Sequence, residues 1–527
     1  SGYGVTVEYT DNTQIDVFSF GAADLVLTRV ETNETFAVSS FTVPVNTNGT
    51  PRSAIYTFTT PGNGWDALDN GTYRVDLIDH QVRDTSGNFA LGRTLVTFHV
   101  SLTRIGQLNV DNTSDTLDDN PGDGVAADAQ GHHTLRAAIQ EANIDSGANT
   151  IVLTAGTFRL TRAGFGEDSA ETGDLDISGE LTIIGSSDGR TIIDAAGLDR
   201  VFDVLAGATL HLQNVTITGG VTPSGEHGGG IRNAGTLTID GTTLSNNQTT
   251  GDGAAIINLT GQTATLTNVT LSGNQASRGA GVFNSGSLTL LNTTVAANIA
   301  SSTGGGLFNN TGATTHAKNT LVATNTATTG PDLSGTFLSD GNNLIGNPSN
   351  STGFTRDVAG NKVGTPDQPL DPKLGPLADN GGPSFTHEPL SGSPAIEAGN
   401  NSGAPITDQR GQIRRPGGVG NVDIGAHEQL FAEIRGVKFH DENANGVQDV
   451  GEVGLAGFRI YLDLNQNGFR DLDEPSTLTV ADDPATAGIN EAGSFAFTRL
   501  APGVYTVLEE TTDGYEQTAP RQLQFSA

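Results

Sequence analysis

The stretch GGGIRNAGTLTIDGTTLSNN, residues 228–247, decides the fold, because the chain repeats it. GAAIINLTGQTATLTNVTLSGN (253–274), GAGVFNSGSLTLLNTTVAAN (279–298) and GGGLFNNTGATTHAKNTLVATN (304–325) carry the same pattern. Asn233, Asn258, Asn284 and Asn309 recur at spacings of 25, 26 and 25. A second row is Asn247, Asn274, Asn298 and Asn325. A third is Asn214, Asn268, Asn292 and Asn319, with Gly241 in place of Asn in one copy. Each copy holds short β-branched and aliphatic runs broken by Gly or Asn, and none reads as a helix.

A unit of this size cannot bury its own apolar row, but stacked copies can. Ile231, Ile256, Val282 and Leu307 then form one inward ladder. Asn suits the corners, since it tolerates a left-handed backbone and its amide bonds to the copies above and below. The pattern predicts a right-handed parallel β-helix over residues 103–430. At roughly 4.8 Å of rise per coil, on the order of ten coils make a rod about 50 Å long.

Such a rod needs its first coil covered, because an open end exposes strand edges. HHTLRAAIQEANIDSGANTIVLTAGTFRL (132–160) supplies the cover: Leu135, Ala138, Ile139 and Ala142 form an apolar helical stripe ending near Gly147. HTLRAAI (133–139) resembles the CSLREA region that opens many bacterial β-helix surface proteins, with His133 where that family has Cys. At the far end, DPKLGPLADNGGPSFTHEPLSGSPAIEAGN (371–400) and TDQRGQIRRPGGVGNVDIGAHE (407–428) resemble the choice-of-anchor Q domain. That resemblance implies a β-helical bacterial surface protein and brings no catalytic residue. Asp408, Arg410 and Glu428 are expected to form a polar network closing the last coils.

The rod is flanked by two other patterns. Residues 1–102 alternate in runs such as VTVEYT, DLVLTRV and YRVDLID, with turn signals at Asn70-Gly71 and Ser86-Gly87, and read as a β-sandwich. The segment resembles the Ig-like modules of large bacterial surface proteins. Residues 431–527 alternate strand patterns with two acidic loops. In DENANGVQDVGE (441–452), Asp441, Asn443, Asn445, Gly446, Asp449 and Glu452 fall at positions 1, 3, 5, 6, 9 and 12. DLNQNGFRDLDE (463–474) places Asp463, Asn465, Asn467, Gly468, Asp471 and Glu474 identically. That is the oxygen-ligand spacing of an EF-hand loop, with backbone carbonyls expected from Val447 and Phe469 at position 7.

The flanks decide what such loops do. A sensor needs a helix on each side, whereas EIRGVKFH and GFRIYLDL read as strands. About two structural calcium ions are therefore expected in 431–527, with 16 acidic against 6 basic residues making a cation welcome. The segment resembles the B-type domains of serine-aspartate-repeat adhesins, which implies a calcium-binding β-sandwich.

Composition narrows the function classes. The chain has no Cys, so disulfides and thiolate chemistry are out. With no Met either, a chain starting at Ser1 is expected to be processed or part of something longer. Its net charge of −33 disfavours nucleic acid and anionic membranes and attracts cations. No apolar run is long enough to insert in a membrane.

Parallel β-helices often cleave polysaccharides, a chemistry that needs paired carboxylates or a base with a charge-neutralising cation. Asp174 and Asp176 share a strand face at i, i+2, and His227 follows Glu226; the plainer reading is solvated strand-edge residues and a loop histidine. All seven Tyr and the one Trp (Trp65) lie outside 103–430, which argues against a sugar-stacking cleft. Asn214, Asn268 and Asn292 stand in N-x-[ST] form, which permits a glycosylation reading, but the repeat explains them first.

The expectation is an all-β chain: an Ig-like β-sandwich (1–102), a parallel β-helix with a capping helix and a choice-of-anchor Q-like end (103–430), and a calcium-binding β-sandwich (431–527). The function expected is structural or adhesive, in a secreted, extracellular or cell-surface setting. Calcium, neighbouring copies, other surface proteins in a fibre, or glycans are the partners it admits. The rivals are a carbohydrate-active β-helix enzyme and a passive glycan-binding or cell-binding module.

Overall fold

The structure, a computed structural model, describes residues 2–59, 71–100, 106–145, 147–414, 420–485, 490–500, 504–512, 514–518 and 523–526. Trp65, Asn70 and the boundary expected at 102–103 lie outside the described residues. The chain forms two compact units, Ser1–Glu428 and Gln429–Ala527. Both are built of strands, and Leu135–Ile144 is the single α-helix among the described residues.

In the N-terminal region six strands between Gly2–Tyr9 and Arg93–Val100 form one antiparallel sheet. The strand Glu34–Thr42 pairs with Leu25–Arg29 as far as Ala37 and with Arg52–Thr59 from Val38 onward, the second pairing shifting register between Val38 and Ser40. The change of partner folds the sheet over a core that includes Leu27, Tyr56, Phe58, Tyr73 and Val75. Tyr3 and Phe98, on the two edge strands, stack at 4.7 Å across the fold.

The repeat builds a parallel β-helix of three sheets with eight, nine and nine strands. That is slightly short of the ten coils expected, because the chain leaves the coil after Lys362–Val363. On the first face Phe202, Ile231, Ile256, Val282, Leu307 and Leu333 stand in register and are buried. The ladder read from the sequence is thus present, with Leu175 and Phe202 added before it and Leu333 after it.

The three Asn rows divide the work. Asn214, Gly241, Asn268, Asn292 and Asn319 are left-handed, with φ of 58°, 60°, 52°, 46° and 49°, so this row turns the backbone. The other two rows stack amides. Nδ2 of Asn233, Asn258 and Asn284 donates to Oδ1 of the next Asn at 2.7, 2.8 and 2.8 Å. In the second, Asn247, Asn274 and Asn298 do the same at 3.1, 2.9 and 2.9 Å.

The capping helix begins at Thr134, whose hydroxyl accepts the Ala137 N–H. Its stripe of Leu135, Ala138, Ile139 and Ala142 joins the rod's core. Arg136, also buried, pairs with Asp115 and donates to the carbonyls of Ala170, Gly173 and Asp174. Every donor of the guanidinium is used on the first coils, so the helix is pinned there.

Residues 371–428 correct one expectation. Asp408, Arg410 and Glu428 do form the expected polar network, Arg410 Nε and the Glu428 N–H both donating to Asp408 Oδ2 at 2.8 and 3.0 Å, but they lie along the rod's third face and not at its last coils. Asn342 donates to Ala398 O, Asn319 to Asn400 O, Asn292 to Asp423 O and Asn268 to Thr407 O; Ser384 donates to Gly241 O. This strap covers outward side chains such as Thr243 and Thr270, which are fully buried. The turning Asn row supplies most of these bonds, because a left-handed corner leaves its amide outside the coil.

The C-terminal unit has two antiparallel sheets. Ala432–Val437 pairs with Ser494–Leu500, and Arg459–Asp463 lies between Ser476–Leu478 and Val504–Glu509, with Leu523–Ser526 at the edge. Ile434, Ile460, Leu462, Phe497, Leu500 and Val507 form the core between them.

Candidate metal centres

The loops at 441–452 and 463–474 have one hydrogen-bond plan. In the first, Asp441 accepts the N–H groups of Asn445 (3.1 Å) and Gly446 (2.8 Å), and Asn443 Oδ1 accepts Asn445 N–H at 3.0 Å. Val447 N–H goes to Asn445 Oδ1 at 2.7 Å, while Glu452 accepts Glu442 and Asp449 N–H at 2.9 Å each. In the second, Asp463 accepts Asn467 (3.1 Å) and Gly468 (2.9 Å), and Asn465 accepts Asn467 at 3.0 Å. Phe469 N–H goes to Asn467 at 2.8 Å, and Glu474 accepts Leu464 (2.7 Å) and Asp471 (3.0 Å). Position 4 is left-handed in both, Ala444 and Gln466 at φ 58°, as is Gly at position 6.

These turns gather side-chain oxygens by tying each to a backbone amide of the same loop. Asp449 Oδ2 also receives Nδ2 of Asn443 and Asn445, and Asp471 Oδ2 receives Nδ2 of Asn465 and Asn467. The donor set of carboxylates and amides is all hard oxygen and fits calcium. Burial pushes the Asp441 carboxyl up, but the Thr518 hydroxyl and the amides of Gly446, Asn445 and Ala444 outweigh it and hold it below its usual range. Val447 and Phe469 expose their side chains, so position 7 carries no packing role.

No helix flanks either loop: the preceding strands are Ala432–Val437 and Arg459–Asp463. The two sites differ in depth. Asp463 and Glu474 are buried, whereas their counterparts Asp441 and Glu452 are half exposed.

A third acidic group lies in the rod. Asp174 and Asp176 do share a face, but they are not solvated edge residues: they are 4% and 0% exposed, and Asp203 on the next coil is 7% exposed. One oxygen from each lies within 4.8 Å of the other two. The sequence alone missed the third member because it is 27 residues away and becomes a neighbour only through the Asp176–Asp203 register.

Glu226 and His227 do not act as a pair. Glu226 reaches Arg200 at 3.4 Å, and His227 Nδ1 accepts the Asp252 N–H at 2.9 Å. Of the N-x-[ST] positions, Asn268 and Asn292 are buried beneath the strap.

Residues 432–524 match the SdrD B-like domain family. No curated protein matches the chain. Among solved structures, the crystal structure of pectate lyase Pel9A is similar over 62% of this chain and 97% of that one, at 13% identity and a TM-score of 0.32. A likeness at that score says nothing about activity.

Proposed function

We propose that the chain is a structural or adhesive part of a secreted bacterial surface protein, built as a sandwich (1–102), a β-helix (103–430) and a calcium-stiffened sandwich (431–527) in series. The observation that carries this reading is the pair of strand-flanked loops with one hydrogen-bond plan. An ion in either loop ties strand to strand and has no helix to swing, so it stiffens the unit and does not signal. The SdrD B-like match over the same residues supports a cell-surface setting. Asp441, Asn443, Asn445, Val447 O, Asp449 and Glu452 would hold one ion; Asp463, Asn465, Asn467, Phe469 O, Asp471 and Glu474 would hold the other. Neighbouring copies in a fibre or envelope layer, or glycans, are the partners proposed. Among the described residues no helix is long and apolar enough to cross a membrane.

EDTA should lower the melting temperature of the C-terminal unit, and added calcium should restore it. An unchanged melting curve would remove the calcium-stiffened stalk. The rival, a polysaccharide-cleaving β-helix, draws on the carboxylates of Asp174, Asp176 and Asp203, but these are buried and the rod carries no Tyr or Trp. Turnover of an acidic polysaccharide by the full chain would reverse the order of the two readings.

A further inference from the structure

The acidic group in the rod has more carboxylates than its cationic partners offset. Asp174, Asp176, Asp199 and Asp203 are all buried within two adjacent coils. Two guanidiniums face them. Arg200 Nε lies 3.1 Å from Asp174 Oδ2, although that N–H is not aligned to bond it. Arg200 Nη1 is 2.9 Å from Asp203 Oδ2, and Arg232 Nη1 bonds both Asp203 oxygens at 2.8 and 3.0 Å. Arg200 N–H also bonds Asp199 at 2.7 Å.

Asp176 has no guanidinium on it. Its Oδ2 accepts the Ala170 N–H at 2.8 Å. Its Oδ1 is sealed from solvent and has no hydrogen-bond partner among the described residues. An unpartnered buried carboxylate oxygen is a costly arrangement, and structures retain it where something else occupies its lone pairs. Burial drives the Asp174 carboxyl up to about 8, with Arg200 opposing, and Asp176 up to about 7, with the Ala170 amide opposing.

We propose that Asp174, Asp176 and Asp203 form a third calcium site, on the outward side of the β-helix wall and independent of the two loops. Two oxygens bound to one calcium at about 2.4 Å stand at most about 4.8 Å apart, and one oxygen of each residue meets that limit. The free Oδ1 of Asp176 supplies a ligand already stripped of water. Asp174 and Asp203 each belong to a different coil, so the ion joins the first two coils of this face beneath the capping helix. Arg136 bonds the Asp174 carbonyl from the helix side, which makes the metal and the cap parts of one anchorage.

The test counts ions on the full chain, stripped with chelator and titrated with calcium chloride by calorimetry. Asp441→Ala with Asp463→Ala disables the two loops and leaves the rod untouched; that variant should still bind one calcium, and a loop-deficient chain that binds none overturns the proposal. Asp176→Asn, which keeps the shape and removes the charge, should lower the stoichiometry of the otherwise unaltered chain by one. An unchanged stoichiometry with the native circular dichroism spectrum also overturns it. Should Asp176→Asn not fold, the loop-deficient variant alone decides. Loss of loop binding alone leaves the rod site standing, so the two calcium claims fail separately.

Discussion

Asn325 directs its backbone N–H and its Nδ2 to a single oxygen, Oδ1 of Asp332, at 2.9 Å each. Asp332 thereby ends the ladder Asn247–Asn274–Asn298–Asn325, in which every amide dipole points the same way. A carboxylate at the acceptor end strengthens each bond behind it, because aligned hydrogen bonds polarise one another in a low dielectric. The ladder is a continuous polar spine within the wall of the rod.

Breaking the spine should be expensive. Asn274→Ala leaves the N–H and Nδ2 of Asn247 without their acceptor in a buried setting. The expected loss is on the order of 3 kcal/mol in urea denaturation of the full chain. Asn310→Ala, at an exposed position, should change stability by less than about 0.5 kcal/mol. Equal losses for the two variants would show that the stacked amides do not carry the wall.

The strap should depend on one buried cation. Arg414 is 1% exposed as a side chain and bonds Glu428 at 3.0 Å, Asn268 Oδ1 at 2.9 Å and the carbonyls of Gly425 and Ala426. Arg414→Ala leaves the Glu428 charge buried without its partner, a loss of about 3–5 kcal/mol. Arg414→Met with Glu428→Gln should lose clearly less. If the double variant is as unstable as the single one, the charge of Glu428 is not what the arginine neutralises.

The same strap should loosen in acid. Burial, reinforced by Arg410 and Arg414, pushes His427 down to about 3, and burial lowers His387 as well. A histidine with a depressed folded-state pKa binds protons more readily when unfolded. Its stabilisation is complete above the ordinary value near 6.5 and is lost as pH falls toward the folded value. At pH 5 the loss from His427 is about 2 kcal/mol relative to pH 8. Amide exchange in 371–414 should be faster at pH 5 than at pH 8 after correction for intrinsic rates, and His427→Gln should flatten the difference. Equal protection at both pH values counts against neutral buried histidines.

The two calcium loops should not be equivalent. Asp463 ends the core strand Arg459–Asp463 and, like Glu474, is buried, while Asp441 and Glu452 are half exposed. Asp463→Ala should lower the calcium-loaded melting temperature more than Asp441→Ala does. Equal shifts would mean that loop depth does not set the contribution of each ion.

Much of this molecule is legible residue by residue. The rise of Ile231, Ile256, Val282 and Leu307 to a common ladder follows from a period near 25 that stays in register over four copies. The capping stripe and the spacing of the acidic loops are equally local. What the repeat does not reveal is why Asn recurs. One row turns the backbone and two stack amides, and both jobs select the same residue, so the pattern alone cannot separate them.

By itself the sequence determined the class of each segment, since strand alternation, repeat period and loop spacing are properties of neighbouring residues. Only the tertiary structure decided the course of 371–428 and the company of Asp174. Both depend on coils coming into register. Thr243 and Gln409 meet at 2.8 Å though 166 residues separate them, and Asp176 meets Asp203 because one coil of chain returns beside the last. A solenoid turns distance along the chain into adjacency across its wall. Which outward side chains become buried is therefore fixed by what lies against the face, not by the period that built it.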